Sequence, residues 1–328
     1  MNLQSIIYPS ISLGGLGLLF AIGLGYASKK FAVEVDPKIT DIRDALPGAN
    51  CGACGFPGCD GFSNAVAEGT APVDGCPVGG QEVANIIGQI MGVEVTDMAR
   101  MVAKVICNGD NEKCKTKFEY HGIEDCIAAS MIGGGGDKTC DYSCLGFGTC
   151  VKACQFDAIE ITENRIAKIN PDKCTACGKC IEVCPKHVID MVPYGQDVVI
   201  ACNNKETGKL VRAKCDVGCI GCKICVKACP FEAINFADNL AFIDYEKCTQ
   251  CYICVEKCPT GAIEGELENR KKAFIDQETC IGCTICKKKC PVDAIEGELK
   301  EKHKVLEEKC IGCGICAEKC PKDSITMN

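Results

Sequence analysis

Tryptophan is absent from this 328-residue chain, and aromatic residues make up only 5% of it. Its domains cannot be held by large aromatic cores. Histidine is scarce too: His121, His187 and His303 are scattered, with no nucleophile or motif beside them. Each reads as surface or structural rather than catalytic. There is no basic excess. Lys and Arg number 36 against 44 Asp and Glu, a net charge of −8. Phosphate recognition needs a basic face, so no nucleic-acid partner is expected. No flavin, haem or nucleotide motif stands out. The glycines at Gly14 to Gly17 lie inside an apolar run with no strand before them. Those at Gly133 to Gly136 have no following Lys-Ser/Thr pair and read as a flexible linker.

What the chain has instead is cysteine, 33 of them. Such density marks either a disulfide scaffold or a metal protein. Spacing decides between them, because one pattern recurs six times. Metal–thiolate bonds can hold small domains that lack a sufficient core.

Ile6 to Ala27 contains no charged residue over 22 positions. As a helix it is about 33 Å long, enough for a bilayer core of about 30 Å. Lys29 and Lys30 follow at once, and no Lys or Arg precedes. The segment reads as a single span of the cell membrane, with the cysteine-rich remainder cytoplasmic. A cleaved signal peptide is the other reading, but the basic n-region is missing.

The stretch 46–80 places Cys51, Cys54, Cys59 and Cys76 in a C-x2-C-x4-C-x16-C pattern on a Gly- and Pro-rich loop. Gly52, Gly55 and Gly58 let the backbone curl and aim N–H groups at sulfur. Phe62 to Glu68 reads as a short helix. Four thiolates without histidine suit zinc or an iron–sulfur cluster; zinc ribbons prefer two C-x2-C knuckles, and this site has one.

Further along, C-x2-C-x2-C-x3-C-P is complete from Cys219, Cys248, Cys280 and Cys310, and a fifth copy runs Cys174, Cys177, Cys180, Cys184, Pro185. Strand-like stretches precede them (KINPDKC, FIDYEKC, FIDQETC, KVLEEKC) and come after them (AINF, AIEG, SITM). Three cysteines spaced by three can wrap three corners of a cube. The fourth ends a helical turn that Pro prevents from continuing. A sixth copy is degenerate and begins at Cys144: it runs Cys144, Cys150 and Cys154, with Phe147 where the middle ligand is expected, Gln155 in place of Pro, and Cys140 four residues ahead as a substitute ligand.

These motifs resemble two-cluster ferredoxins, in which the fourth cysteine of each motif serves the other cluster. The resemblance implies an α+β fold class: an N-terminal transmembrane helix, a small four-cysteine [4Fe–4S] domain, then three two-cluster ferredoxin-like modules. The expected boundaries are 1–30 for the anchor, 31–98 for the four-cysteine domain and 99–139 for a connecting region with the glycine linker. The modules come next at 140–214 (with a connector), 215–265 and 266–328. The resemblance also implies ligand sets. Cys280, Cys283 and Cys286 go with Cys320, and Cys310, Cys313 and Cys316 with Cys290. Cys219, Cys222 and Cys225 go with Cys258, and Cys248, Cys251 and Cys254 with Cys229. Cys174, Cys177 and Cys180 go with Cys154. For the degenerate motif Cys140, Cys144, Cys150 and Cys184 are expected; a three-iron cluster that leaves Cys140 free is the alternative.

Seven [4Fe–4S] clusters use all but Cys107, Cys114, Cys126, Cys202 and Cys215. VAKVIC107NG resembles DVVIAC202NN, and each leads to a cysteine four residues before a cluster motif, Cys140 and Cys215. Either four of these thiols hold an eighth cluster, or they are buried and pack as small hydrophobes.

The run A-L-P-G-A-N-C-G-A-C-G-F-P-G-C resembles the four-cysteine domain of Rnf complex B subunits. The order of anchor, four-cysteine domain and ferredoxin modules extends that resemblance over essentially the whole chain. It implies an electron-transfer subunit of a membrane-bound ion-translocating ferredoxin:NAD+ oxidoreductase, without a substrate-converting active site of its own. Its partners would be reduced ferredoxin and the other membrane and flavin-bearing subunits. Two further classes stay open: a polyferredoxin subunit of a membrane hydrogenase or of a formate or carbon monoxide dehydrogenase, and a cluster store or scaffold. Residues 266–328 hold twelve basic and twelve acidic residues, so the net negative charge lies in the rest of the chain. Lys287, Lys288 and Lys289 beside Cys290 are a candidate docking patch for an acidic ferredoxin.

Overall fold

The computed structural model describes residues 4–31, 36–97 and 99–328. The chain divides into two compact units, one of residues 1–76 with 82–95 and one of residues 77–81 with 96–328.

The first unit opens with helix α1 (Gln4–Lys30), which carries Lys29 and Lys30 in its last turn. Its stretch from Ile11 to Lys30 is apolar and long enough to cross a membrane. Leu13, Leu19 and Leu24 are each at least 70% exposed; a helix apolar all round and uncovered by protein suits lipid. Helix α2 (Pro37–Ala45) starts with Pro at its first position and Asp36 accepting from the Lys38 amide at 2.9 Å. It packs with α3 (Gly58–Ala67) and α4 (Gly80–Met91) around Ile42, Phe62, Val66 and Ile87.

The second unit repeats one plan three times. Module one has β1 (Met101–Val105), β2 (Ile159–Ile161), β3 (Ala167–Ile169) and β4 (Ile189–Pro193). β1 pairs antiparallel with β4, with Val105 opposite Ile189, and β2 pairs with β3. Module two repeats this with β5 (Val199–Ile200) on β8 (Ile263–Glu264) and β6 (Ile234–Ala237) on β7 (Leu240–Ile243). Module three has β9 (Ala273–Ile275) on β12 (Ile325–Met327) and β10 (Ile295–Glu296) on β11 (Lys304–Val305). Two-stranded ladders are marginal alone. Each pair of ladders here closes over a core into which the cysteines themselves pack.

The modules diverge just after the leading strand. In module three β9 runs directly into its cluster loop, where the Cys280 amide donates to the Asp276 carbonyl at 3.1 Å. Modules one and two carry inserts at that point, residues 106–143 and 201–218, and these inserts hold all the cysteines outside the six motifs and the N-terminal domain. The segment expected as a connector therefore begins with the leading strand of module one. The glycine run in it is exposed at Gly133 and Gly134 and packed at its end: a side chain at Gly136, whose φ is +120°, would run into Leu145.

The two inserts pair with each other. The Lys115 amide donates to the Lys214 carbonyl and the Asp216 amide to the Lys113 carbonyl, both at 2.9 Å. They flank an isolated antiparallel bridge between Cys114 and Cys215.

Candidate iron–sulfur sites

All six cluster loops share one backbone path. The residue two before the third cysteine of each motif is left-handed: Gly148, Gly178, Lys223, Tyr252, Thr284 and Gly314, with φ between 59° and 78°. It launches a helical turn, such as Ile285–Lys289, that ends at the fourth cysteine. Turns this short are held by the loops they connect rather than by helix propensity.

The cysteines of different motifs meet around cavities. Cys280, Cys283, Cys286 and Cys320 line one of about 340 Å³. Cys219, Cys222, Cys225 and Cys258 line one of about 390 Å³. Cys290, Cys310, Cys313 and Cys316 line another, as do Cys154, Cys174, Cys177 and Cys180, each about 330 Å³. Cys229 lies within electrostatic reach of Cys251 and Cys254. In the N-terminal unit Cys54, Cys59 and Cys76 pack at the Phe62 core, and the Cys59 amide donates to Asn50 Oδ1 at 2.8 Å.

Donors aim at sulfur. The Ala103 amide reaches Cys174 Sγ at 3.3 Å, the Ala233 amide Cys229 Sγ at 3.4 Å, and the Ala294 amide Cys290 Sγ at 3.2 Å. Such bonds stabilise thiolate and tune a metal centre. Burial works the other way, pushing the Cys150, Cys180 and Cys254 thiols up to about 12. A cationic iron–sulfur core bonded to these sulfurs offsets that cost, so the residues fit the group. Among the described residues no three Cys, His, Asp or Glu side chains converge on one metal ion; the thiols ring larger spaces.

The degenerate motif keeps the shared backbone. Gly148 is left-handed as above, and Gly146 (φ +72°) sits against the Arg165 carbonyl, where any side chain would collide. Phe147, at the middle ligand position, turns its ring toward Tyr120 (centroids 4.8 Å apart), with the Arg165 guanidinium 4.2 Å over it. Cys150 lies within electrostatic reach of Cys144, Cys184 and Cys126, and Cys126 also lies within reach of Cys144. It begins the helix Cys126–Ser130, capped by Asp125, and its amide donates to Thr149 Oγ1 at 2.7 Å. Cys140 instead clusters with Cys114 and Cys215, with Asn204 Nδ2 donating to its Sγ at 3.2 Å. The separation of Cys126 from Cys144, seventeen residues of insert, hides this from a spacing argument. The one signal was that a thiol stood in the insert at all.

Repeated cluster loops on ferredoxin-like ladders define an iron–sulfur electron carrier of the polyferredoxin class. Family models agree: a 4Fe-4S dicluster domain matches residues 139–191 and 273–327, others of that description match 218–263 and 247–294, and a putative Fe-S cluster model matches 46–78. The chain is 49% identical over 269 residues to the B subunit of the Na(+)-translocating ferredoxin:NAD(+) oxidoreductase complex of Acetobacterium woodii, covering 82% of this chain and 80% of that one. It is 46% identical to the B subunit of the ion-translocating oxidoreductase complex of Methanosarcina acetivorans, covering 75% and 94% of the two chains. It is 42% identical to the B subunit of the proton-translocating ferredoxin:NAD(+) oxidoreductase complex of Clostridium ljungdahlii, covering 75% and 87%. The chain belongs to the family of B subunits of the ion-translocating ferredoxin:NAD+ oxidoreductase, or Rnf, complexes.

Proposed function

We infer that this chain relays single electrons from reduced ferredoxin through its [4Fe–4S] clusters to the membrane subunits of an Rnf complex. The observation that carries the reading is the set of cavities ringed by three cysteines of one motif and the fourth cysteine of another. A [4Fe–4S] cluster supplies reversible one-electron exchange when bound. The chain's own contribution is to fix the thiols, to direct N–H donors at their sulfurs and to exclude water by burial. We assign seven clusters, with the crossed ligand sets and the Cys51, Cys54, Cys59 and Cys76 site. For the degenerate motif the geometry favours Cys126, Cys144, Cys150 and Cys184 over the set containing Cys140.

The helix α1 anchors the chain, and the basic pair Lys29 and Lys30 supports a cytoplasmic cysteine-rich region. Ferredoxin docking at the third module is supported by exposed Lys288 and Lys289 in the last turn of the Ile285–Lys289 helix. Lys287 is tied back to the Gly297 carbonyl at 2.9 Å and to Glu298.

The test of the assignment is metal analysis of the anaerobically purified chain, paired with Cys283→Ala. At least about 28 irons per chain are expected from seven clusters, at four each. The substitution should remove one cluster and loosen its module, because the crossing cysteines join both halves. Fewer than about 20 irons, with zinc making up the difference, contradicts the relay.

A further inference from the structure

The cysteines of the two inserts form a fifth cavity, about 320 Å³, close in size to the four above. It too is ringed by four cysteines: Cys107, Cys140, Cys202 and Cys215. We propose that these four hold an additional [4Fe–4S] cluster at the joint between the first and second modules. The proposal rests on the relay reading and extends it.

The first argument is internal symmetry. Cys107 ends the stretch after β1, and Cys202 the stretch after β5. Cys140 and Cys215 each lie four residues before a cluster motif. Each insert thus contributes one thiol from its beginning and one from its end, and the inserts face each other across the Cys114–Cys215 bridge. Even the hydrogen bonds repeat: the Cys144 amide donates to Cys107 Sγ at 3.4 Å, and the Cys219 amide to Cys202 Sγ at 3.2 Å. Four thiols from two distant segments are how a cluster ties parts of a fold together.

The second argument is a buried cation. Lys138 is 1% exposed, and its ammonium donates to the carbonyls of Gly109 (2.8 Å) and Arg165 (3.3 Å). Among the described residues no carboxylate pairs with it, although it interacts with Cys107, Cys114 and Cys144. A buried charge without a counter-charge is expensive. When four thiols release four protons and form four Fe–S bonds to a 2+ core, the site carries −2, which supplies that counter-charge. One-electron reduction by a neighbouring cluster takes it to −3, and the electron leaves by the same bonds unbroken. The space itself is tight enough to need glycine: at Gly109 a side chain would meet Cys114 at 3.3 Å and Cys215 Sγ at 3.4 Å. Asn204 supplies a donor to Cys140, and the Cys114 thiol points to the Lys115 carbonyl at 3.8 Å. Cys114 is then the one cysteine outside a cluster.

The position gives the site its role. Its thiols Cys107 and Cys202 are bonded to the backbone of Cys144 and Cys219, the opening cysteines of the neighbouring loops in modules one and two. An electron crossing between those modules would have a cluster on its path.

The test uses the full chain in detergent, purified anaerobically, with iron and zinc analysis and native mass spectrometry. About 32 irons are expected, four per cluster. Cys202→Ser and Cys140→Ser should each lose about four, the double variant no more than either, and Cys114→Ser none. Cys126→Ser combined with Cys202→Ser should lose about eight, since those thiols serve different clusters. A wild-type chain with about 28 irons, and Cys202→Ser unchanged, overturns this site and leaves the relay standing. Additive loss in the Cys140→Ser, Cys202→Ser pair returns Cys140 to the degenerate motif and also overturns it. Low iron with compensating zinc overturns the relay itself. If the variants fold poorly, the cluster count in the native mass of the wild-type chain still decides between seven and eight.

Discussion

The amide of Cys219 points at the sulfur of Cys202, 3.2 Å away, across an insert of sixteen intervening residues that returns the chain to its starting point. Its counterpart, Cys144 on Cys107, closes a longer insert in the same way. In module three the corresponding segment is a single turn from Asp276 to Cys280. One ferredoxin plan thus appears plain once and elaborated twice, and the elaborations carry the thiols that the motif rule does not use.

The degenerate motif offers a rescue experiment. Cys126→Ser should remove one cluster, about four irons, from the first module. Adding Phe147→Cys to that variant puts a thiol at the regular ligand position on a backbone that already has the regular path, and should restore the cluster. Iron analysis and the electron paramagnetic resonance spectrum of the reduced chain report both steps. Full iron in Cys126→Ser alone would contradict the assignment of Cys126.

Lys138→Met removes a buried positive charge beside Cys107 and Cys144. A cation favours the more negative, reduced form of a cluster. The substitution should therefore lower the potentials of adjacent clusters by tens of millivolts, on the order expected for a charge in a medium of effective dielectric near 20. It also leaves the Gly109 and Arg165 carbonyls without their donor, a cost of about 1–3 kcal/mol. A spectroscopic redox titration of variant and wild type measures the shift; unchanged potentials would count against a charged centre at this position.

His303 is fully buried, both ring nitrogens lack a hydrogen-bond partner among the described residues, and the ring lines the Cys280, Cys283, Cys286 and Cys320 cavity. A methyl group at Gly297 would lie 2.8 Å from that ring. A cluster sulfur as acceptor would satisfy one nitrogen. His303→Leu should keep the iron content and lower that cluster's potential by tens of millivolts through loss of an N–H···S bond. A redox titration that shows no shift would assign the ring to packing alone.

Docking at the third module predicts that Lys288→Gln with Lys289→Gln slows second-order reduction by ferredoxin at low salt and flattens its salt dependence. Lys287 is left in place because its bonds to Gly297 and Glu298 are structural. Stopped-flow reduction across a salt series measures this; an unchanged low-salt rate with all clusters present would move the entry site to another module.

Much of this was legible before the structure. The stretches FIDYEKC and FIDQETC begin on the last two residues of β7 and β9, AINF covers most of β6, and SITM contains β12, because short apolar runs beside fixed cysteine spacing leave few alternatives. The similarity of the Cys107 and Cys202 stretches was visible as well. What spacing could not reveal was that β1 belongs to module one, since its partner β4 lies more than eighty residues away. Nor could it show Cys126 brought near Cys150: that placement depends on the Asp125 cap and the Thr149 hydroxyl, which bond each other and the Cys126 amide and have no signature of their own. Gly133 to Gly136 read as a linker by composition, whereas Gly136 is required by its φ and by Leu145.

The relay itself is tested most directly by mixing the anaerobically purified full chain with stoichiometric reduced ferredoxin and following cluster absorbance and electron paramagnetic resonance. Rapid reduction of the clusters, with iron retained on the chain and returned to the oxidised state by an electron acceptor, is the predicted result. Clusters that stay oxidised while iron and sulfide pass from the chain to apo-ferredoxin would contradict it and identify a cluster store.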